Sequence, residues 1–314
     1  MQEKVVVTGG AGFIGSHLAH ALAKSGYFVI VYDDMTRGRK EYIKDLVDVE
    51  KGQLVVGDIR NFELVRDVVE GAKYVFHEAA VCINYSVANP SESFDINVRG
   101  TYNVFRAAKE AKVKKLFFSS SASVYGNPIR LPMDEDHPLN PITPYCVSKI
   151  TNEYTLRMSE FRELPYVIFR NFNVYGPRQS TDAYYTSVII SFMKRALQNL
   201  PPKIIGEGTQ SMDFIHVDDI VQANLEAVDR DVSGEIINLG SGTSVSINEI
   251  AKKIVKLSGK NLTPEHSEGP KLIVQRRQAG IKKAQDLLGF RPKVGIDKGL
   301  EGLIKDFKAH PDLY

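Results

Sequence analysis

The segment KVVVTGGAGFIGSH, residues 4–17, sets the interpretation of the whole chain. A β-branched run ends at three glycines, Gly9, Gly12 and Gly15, and an apolar helical stretch follows directly. Glycine permits a tight turn and a close approach of the backbone to a pyrophosphate, which the helix N-terminus then favours. Glycines at this spacing also make plain turns. The strand before them and the helix after them favour a dinucleotide-binding loop.

The next β-branched run ends in two acidic residues, Asp33 and Asp34, 18 residues beyond Gly15. A carboxylate at this point accepts hydrogen bonds from an adenosine ribose and repels a 2′-phosphate. We therefore predict NAD rather than NADP, although Arg37 and Arg39 lie close by.

A third run is followed by GDI, residues 57–59. We predict that Asp58 hydrogen-bonds the adenine amine and that Ile59 covers the ring. Alternatively, Asp58 caps a helix that begins at Asn61.

Short β-branched runs recur through the first half of the chain, and helical stretches separate them. Because the runs show little polar alternation, they are typical of parallel strands covered on both faces. Strand and helix in repeated alternation predict a doubly wound parallel α/β sheet, the Rossmann architecture. The runs are residues 4–9, 27–33, 53–58, 73–79, 114–119 and 165–171.

The alternation breaks after about residue 172. We predict an NAD-binding domain at 1–172 and a smaller, mainly substrate-binding C-terminal domain at 173–314, with some of its segments returning to the sheet. The elements expected there are a helix near 184–199, a strand near 235–239, a helix opened by a capping box at Ser246 and Glu249, and a helix that ends at Gly289.

Composition excludes several classes of protein. The 314 residues carry 40 basic and 38 acidic side chains, with no basic block, which argues against nucleic-acid binding. No apolar run approaches the roughly 18 residues of a membrane span, and the N-terminus lacks a secretory signal pattern. Cys82 and Cys146 form no CxxC motif, which fits a reducing cytoplasm, and we expect no metal site.

A second group of polar residues spans FFSSSASVYG (117–126) and PITPYCVSK (141–149). Tyr145 and Lys149 are four residues apart and so share one helix face. A nearby ammonium and a cationic nicotinamide both favour the phenolate, and lowering its pKa from about 10 to about 7 takes roughly 4 kcal/mol. With the hydroxyl of Ser121, the pair can then deprotonate an alcohol while hydride leaves its carbon. Alternatively, Lys149 is an ordinary solvated charge near a half-buried tyrosine.

These motifs, with NVRGTYNV (97–104) and FRNFNVYGPRQ (169–179), resemble the extended short-chain dehydrogenase/reductase superfamily. Within it, the chain is most similar to nucleotide-sugar epimerases of the UDP-glucose 4-epimerase type. The resemblance is tight to about residue 180 and looser afterwards.

The resemblance implies a reaction in which NAD stays bound. Ser121 is then the hydroxyl partner, Tyr145 the base that takes the proton of the sugar 4-hydroxyl, and Lys149 its electrostatic support. Hydride passes from C4 to NAD, the transient 4-keto sugar turns over, and hydride returns to its other face. The expected substrates are UDP-glucose/galactose or UDP-GlcNAc/GalNAc. The alternatives are an epimerase of an acidic UDP-sugar and a sugar-nucleotide dehydrogenase or reductase.

The resemblance also implies contacts with the cofactor and the substrate. For Phe172 and Asn173, a core aromatic and a turn former are the respective alternatives. The implied cofactor contacts are Phe13, Ile14, Asp33, Asp34, Asp58, Ile59, Ala79, Ala80, Asn97, Ser119, Tyr145, Lys149 and Phe172, with Asn173 reaching the sugar nucleotide.

The chain departs from related enzymes just after Ser121. Sugar-nucleotide 4,6-dehydratases carry Asp-Glu at the next two positions, and UDP-glucuronate decarboxylases carry glutamate at the second. Here these positions are Ala122 and Ser123, which have no acid–base capacity at neutral pH. Epimerisation needs no extra acid, so it is the reaction for which no residue is missing.

A second departure lies in GEGTQSMDF (206–214), where Met212 replaces an arginine that pairs with the nucleotide diphosphate in the family. The thioether cannot pair with phosphate. The segment 268–284 lacks the family's RxGD element but carries Arg276 and Arg277. We predict that one of them replaces the missing arginine or binds a carboxylate on the sugar. Alternatively, they form a solvated basic turn.

A homodimer is a further expectation from the resemblance. The segments 97–111 and 151–161 would supply helices for a four-helix contact. Their apolar positions equally suit the core of a single chain.

Overall fold

The computed structural model describes residues 2–180, 187–268 and 275–313. Apolar β-branched runs form the central strands, in which Val5, Val6 and Val7 are completely buried. The strands of the described residues, in chain order, are β1 (Lys4–Thr8), β2 (Phe28–Asp33), β3 (Gly52–Val56), β4 (Tyr74–His77), β5 (Lys115–Ser121), β6 (Tyr166–Asn171), β7 (Asn173–Tyr175), β8 (Lys203–Ile205), β9 (Ser211–Met212), β10 (Phe214–His216), β11 (Glu235–Leu239), β12 (Val245–Ser246) and β13 (Glu265–Ser267).

Seven of these strands form one parallel sheet in the order β3-β2-β1-β4-β5-β6-β11. The predicted doubly wound sheet is therefore confirmed. The α-helices are α1 (Phe13–Lys24), α2 (Lys44–Asp48), α3 (Phe62–Val69), α4 (Ile83–Ala88), α5 (Pro90–Phe94), α6 (Thr101–Glu110), α7 (Pro144–Leu156), α8 (Val188–Leu197), α9 (Val217–Asp229), α10 (Ile247–Ser258), α11 (Lys282–Leu288) and α12 (Ile296–Ala309).

Both faces of the sheet are covered by helices. One core joins Val5 and Val7 to α1, α9 and α11, and the other joins Val6 to α3 and α6. The alternation arises because successive side chains of a strand point to opposite faces. In α6, Val104 and Phe105 are fully buried, so these apolar positions belong to the core of the single chain.

The second half of the chain builds a separate apolar core between α8, α10 and α12. From the same half, β11 pairs with β6 and α9 packs into the core of the sheet. The division at residue 172 stays a prediction.

Local signals in the second half are confirmed. Ser246 and Glu249 form a capping box at the start of α10, and Gly289 ends α11 in the left-handed conformation. The predicted strand near 235–239 is β11. The helix expected near 184–199 is α8, and residues 181–186 lie outside the described part. Across the described ranges, no helix is long and apolar enough to span a membrane.

Candidate active site

The carboxyl ends of the parallel strands meet at one edge of the sheet, where their loops enclose a cleft of about 560 Å³. We call it the glycine-loop cleft. Twelve of the predicted site residues line it. They are Gly9, Gly12, Phe13, Ile14, Gly15, Asp33, Asp34, Asp58, Ile59, Ala79, Ala80 and Tyr145.

The glycine turn leaves no room for side chains. Gly9 has a φ of +65°, and a Cβ on it would lie 2.8 Å from the backbone nitrogen of Ala79. A Cβ on Gly15 would overlap the carbonyl oxygen of Gly9. The N-terminus of α1 has neither a capping side chain nor an acidic residue in its first turn. This backbone suits a pyrophosphate, because the terminal N–H groups and the helix dipole favour an anion.

The carboxylate of Asp33 closes the far side of the turn. Its oxygens accept hydrogen bonds from the backbone N–H groups of Ala11 (3.0 Å) and Met35 (2.9 Å). Burial raises the pKa of Asp33, while these two hydrogen bonds oppose the shift. Asp34 accepts from the backbone N–H of Thr36 at 2.9 Å. Carboxylates at this edge fit an unphosphorylated ribose.

Asp58 is held by a neighbour in sequence. Its carboxylate accepts from the backbone N–H of Arg60 (2.8 Å) and from the Arg60 guanidinium. Burial alone would raise the pKa of Asp58, but these hydrogen bonds from Arg60 lower it below its ordinary value. The capping alternative is wrong, because Asn61 itself caps α3 by accepting from the N–H of Leu64. The hydrogen bond from the adenine amine to Asp58 stays a prediction, as does the packing of Ile59 against the adenine ring.

Tyr145 lies in the first turn of α7. Thr143 caps this helix by accepting from the backbone N–H of Cys146, and Pro144 occupies its first turn, where a missing N–H costs nothing. Tyr145 therefore reaches the cleft at the N-terminal end of the helix, close to the hydroxyl of Ser121 at the end of β5.

The ionisation of Tyr145 differs from the expectation. Burial raises the pKa of Tyr145 above its ordinary value, and the nearby Ser121 hydroxyl only partly opposes this. The ammonium of Lys149 lies 5.6 Å from the centre of the phenol ring. It donates instead to the carbonyl oxygen of Ser119 at 2.7 Å. The expected lowering of the pKa is therefore not produced by the protein's own groups, because the loss of water around the phenolate outweighs them.

Lys149 is not a solvated charge. Only 4% of it is exposed, and burial lowers the pKa of its ammonium to about 8, while Glu78 and Glu153 act in the opposite direction. Lys149 lies one helical turn beyond Tyr145 and beneath the cleft wall. The alternative of an ordinary surface lysine is wrong.

Two predicted cofactor residues lie behind the wall of the cleft. The side-chain amide of Asn97 forms two hydrogen bonds with the backbone of Val81. Its oxygen accepts from the Val81 N–H at 2.9 Å and its nitrogen donates to the Val81 carbonyl at 3.1 Å, which fixes the loop after β4. Phe172 is buried beside Tyr125 and Met133 in an apolar cluster, as in its core alternative. Direct contact of either residue with the cofactor stays a prediction.

Glu78 is a charged residue of the cleft that was not among the predicted site residues. It follows β4 directly and lines the cleft with Tyr145. The hydroxyl of Ser119 donates to its carboxylate at 2.7 Å. The motif around it, HEAA (77–80), drew attention only to its alanines. The available signal was a charged residue at the carboxyl end of a buried strand.

A second cavity, of about 700 Å³, lies towards the C-terminal half and shares Val174 and Gln179 with the cleft. We call it the C-terminal cavity. Its lining includes Asn173, Met212 and Arg277. Asn173 is held by the backbone of Asp213, to which its amide donates at 2.8 Å.

The structure separates the two arginines of segment 275–280. The backbone N–H of Arg277 donates to the carbonyl of Ser211 at 2.9 Å, which places Arg277 beside Met212 on the wall of the C-terminal cavity. Its buried Nε has no hydrogen-bond partner among the described residues. Arg276 is exposed and borders a different, surface groove with Arg130. Residues 269–274 of the same segment lie outside the described part.

Comparison with known proteins agrees with this geometry. The family model described as the NAD dependent epimerase/dehydratase family matches residues 5–240. A Methanocaldococcus jannaschii protein provisionally named UDP-glucose 4-epimerase is 37% identical, and the match covers 97% of this chain and 98% of that one.

Two solved structures are similar along nearly their whole length. The UDP-N-acetylglucosamine 4-epimerase of Methanobrevibacter ruminantium, in complex with UDP-N-acetylmuramic acid, has a TM-score of 0.93 at 31% identity over 99% of this chain and 100% of that one. The UDP-glucuronic acid 4-epimerase of Bacillus cereus, in complex with NAD, has a TM-score of 0.90 at 32% identity with the same coverage. With the glycine turn, the acidic edge and these similarities together, the chain belongs to the NAD-dependent epimerase/dehydratase family, and its cofactor is NAD.

Proposed function

We propose that this protein is an epimerase that inverts C4 of a UDP-hexose, with UDP-glucose/galactose or UDP-GlcNAc/GalNAc as the leading substrates. One observation carries the proposal. Tyr145 lines the glycine-loop cleft close to the hydroxyl of Ser121, with buried Lys149 one turn away. The similarity to named UDP-sugar 4-epimerases supports the same conclusion.

In this proposal, the chain's own residues transfer one proton, that of the sugar hydroxyl. Ser121 and Tyr145 orient the sugar hydroxyl, and the proton moves to the phenolate oxygen of Tyr145. Lys149 adds a positive charge that favours the phenolate, and burial keeps water away from the exchange. The glycine turn and the acidic edge at Asp33 and Asp34 would hold NAD, which would supply hydride-transfer chemistry at the sugar carbon and the positive charge of its nicotinamide.

The residues after Ser121 support epimerisation over elimination or decarboxylation. Ala122 offers no ionisable group, and the hydroxyl of Ser123 is buried without a hydrogen-bond partner among the described residues. Neither position can supply the second acid or base that those reactions need.

Incubation of the purified protein with a panel of sugar nucleotides tests the proposal. Proton NMR of the anomeric region should show one pair of C4 epimers approaching equilibrium without added NAD and without a net change in absorbance at 340 nm. Stoichiometric production of NADH would identify a dehydrogenase instead. Failure to interconvert any UDP-sugar would contradict the proposal.

An acidic UDP-sugar is the second candidate, and Arg277 is the observation that favours it. A guanidinium binds phosphate and carboxylate in the same two-pronged manner. In the C-terminal cavity, Arg277 lies beside Met212, where the resemblance expects a diphosphate-binding arginine. We propose that Arg277 binds the diphosphate or a sugar carboxylate. Arg276 lies outside this cavity, so the proposal rests on Arg277.

Replacing Arg277 with alanine is expected to raise KM about 10–100-fold and change kcat by no more than a few-fold, because the lost interaction is with the bound part of the substrate. Steady-state kinetics on neutral and acidic UDP-sugars measures this. An equal rise in KM for neutral and acidic UDP-sugars would indicate that Arg277 binds the diphosphate. A rise in KM for the acidic sugar alone would indicate that it binds the sugar carboxylate. Arg276→Ala is the control. An unchanged KM for every substrate would remove Arg277 from the site.

We further propose that the protein is a cytoplasmic homodimer. Cys82 and Cys146 form no disulfide within the described part of the chain, in keeping with a reducing compartment. On α7, Val147 and Tyr154 lie two turns apart on one face and are 38% and 56% exposed. With Val87 of α4, which is 59% exposed, they supply apolar surface for a second copy.

Tyr154→Asp is expected to shift the protein from dimer to monomer, because a carboxylate buried in an apolar contact has no partner. Light scattering after gel filtration measures the mass. Ile129→Asp changes an equally apolar side chain, 74% exposed in a distant loop, and should leave the mass unchanged. A Tyr154→Asp variant that remains dimeric at all concentrations would place the interface elsewhere.

A further inference from the structure

Glu78 is a carboxylate that the proposed reaction does not use, although it borders the same cleft as Tyr145. Its oxygen accepts from the Ser119 hydroxyl at 2.7 Å. The Ser119 oxygen in turn accepts from the side-chain amide of Asn171 at 3.2 Å. The Ser119 proton is therefore directed to Glu78, which fixes the carboxylate at the end of β4.

The same serine also holds Lys149. The carbonyl oxygen of Ser119 accepts a hydrogen bond from the Lys149 ammonium at 2.7 Å. Ser119 therefore forms hydrogen bonds with Glu78 through its side chain and with Lys149 through its backbone. Glu78 and Lys149 are thus placed on either side of Ser119. Neither can move without breaking a hydrogen bond to it.

The other charged or titratable groups near Lys149 are already matched. On its own helix, Glu153 forms a buried ion pair with Arg170 of β6, with N–O distances of 2.6 and 3.1 Å. On β4, His77 is bonded between Thr8 and Thr101, and burial lowers the pKa of His77 to about 3, so it is neutral. Tyr145 carries no charge until it gives up its proton.

Burial raises the pKa of Glu78, while the hydrogen bond from Ser119 and the positive charge of Lys149 oppose that shift, so Glu78 and Lys149 each favour the charged form of the other. Glu78 differs from the groups above because no cation forms an ion pair with it among the described residues. We propose that Glu78 is a positioning residue whose negative charge, anchored by Ser119, keeps the buried Lys149 protonated at the pH at which the enzyme works. The inference rests on the proposed function only in taking Tyr145 and Lys149 as the proton-handling pair.

The charge of Glu78 acts on both members of the pair in the same direction. It raises the pKa of Lys149 against the larger effect of burial, and it adds to the effect of burial in raising the pKa of Tyr145. Removing it lowers both pKa values. Activity needs Tyr145 without its proton and Lys149 with its proton, so the two limbs of a plot of kcat/KM against pH report these two pKa values, whichever is the lower. Both limbs should therefore move to lower pH.

Glu78→Gln tests this, because the amide keeps the shape of the side chain and can still accept from Ser119. We expect both limbs to shift down by about 0.5–1 pH unit in the NAD-loaded enzyme. Glu78→Asp keeps the charge and should keep the limbs near their wild-type positions. Glu163→Gln removes one exposed carboxylate elsewhere and should not move them.

A second measurement does not depend on activity. The 13Cε resonance of Lys149, assigned by its loss in Lys149→Met, should titrate at lower pH in Glu78→Gln than in the wild type. An unchanged titration, or limbs that stay in place while the maximum rate falls, would overturn the inference and leave Glu78 a structural residue. If no UDP-sugar is epimerised, the proposed function fails, but the titration still decides the link between Glu78 and Lys149.

Discussion

Tyr145→Phe is expected to lower kcat about 10²–10⁴-fold, because it removes the one oxygen that takes the proton of the sugar hydroxyl. The change deletes a single oxygen atom from a side chain that borders the cleft and lies close to Ser121. The packing of α7 and the glycine turn are untouched, so the NAD content and the circular dichroism spectrum should match those of the wild type.

The measurement is the initial rate of C4 inversion on the preferred UDP-sugar. Tyr154→Phe is a matched control, since Tyr154 lies on the same helix but is 56% exposed and distant from the cleft. A Tyr145→Phe enzyme with a rate within threefold of the wild type would exclude the phenol as the base.

Gly15→Ala should strip the protein of NAD. The added Cβ would overlap the carbonyl oxygen of Gly9 and lie 2.8 Å from the Cα of Gly10, and both are backbone atoms that cannot rotate away. The glycine turn must then open, which displaces the N-terminus of α1 from the position that favours a pyrophosphate. We expect the Kd for NAD to rise at least about 100-fold, with loss of epimerase activity.

Calorimetric titration with NAD and the nucleotide content of the purified protein report this effect. Gly302→Ala is the control, because a Cβ at this position of α12 meets no atom within 4 Å. Circular dichroism of both variants separates loss of binding from loss of fold. Wild-type NAD content in Gly15→Ala would show that the turn does not hold the pyrophosphate.

The sheet could be predicted from sequence because its central strands are short apolar runs that are buried on both faces. The start of α10 and the end of α11 could be predicted for a related reason. The capping box of Ser246 and Glu249, and the stop at Gly289, are local signals that do not depend on distant contacts. The two-residue strands β9 and β12 were not foreseen. They are pairings between distant loops, and neither segment carries a strand pattern of its own.

The site was predictable where a motif imposes one backbone shape, as at the glycine turn. It was less predictable where burial decides. The two neighbouring arginines look alike in sequence. In the structure, the β-bridge between Ser211 and Arg276 fixes the backbone here, so that Arg277 lines the C-terminal cavity and Arg276 is exposed. Glu78 lies in the predicted run 73–79 and was assigned no role there, and only the pairing of β4 with β5 brings it to Ser119.

The pKa of Tyr145 shows the same limit most clearly. Spacing alone places Lys149 near the phenol and predicts a lowered pKa. The structure adds the loss of solvent, which acts in the opposite direction and is larger. A charge four residues away can be read from a sequence, but the water that folding removes cannot.

The most direct test of the account uses the preferred UDP-sugar with deuterium at C4, in ordinary water and without added NAD. If oxidation and reduction occur at C4 within one closed site, the epimerised product carries the deuterium at C4 with inverted configuration and no loss to solvent. Replacement of the deuterium by solvent hydrogen would mean that a proton, not a hydride, leaves the carbon. That result would contradict the central claim that Tyr145 works on the hydroxyl while bound NAD works on the carbon.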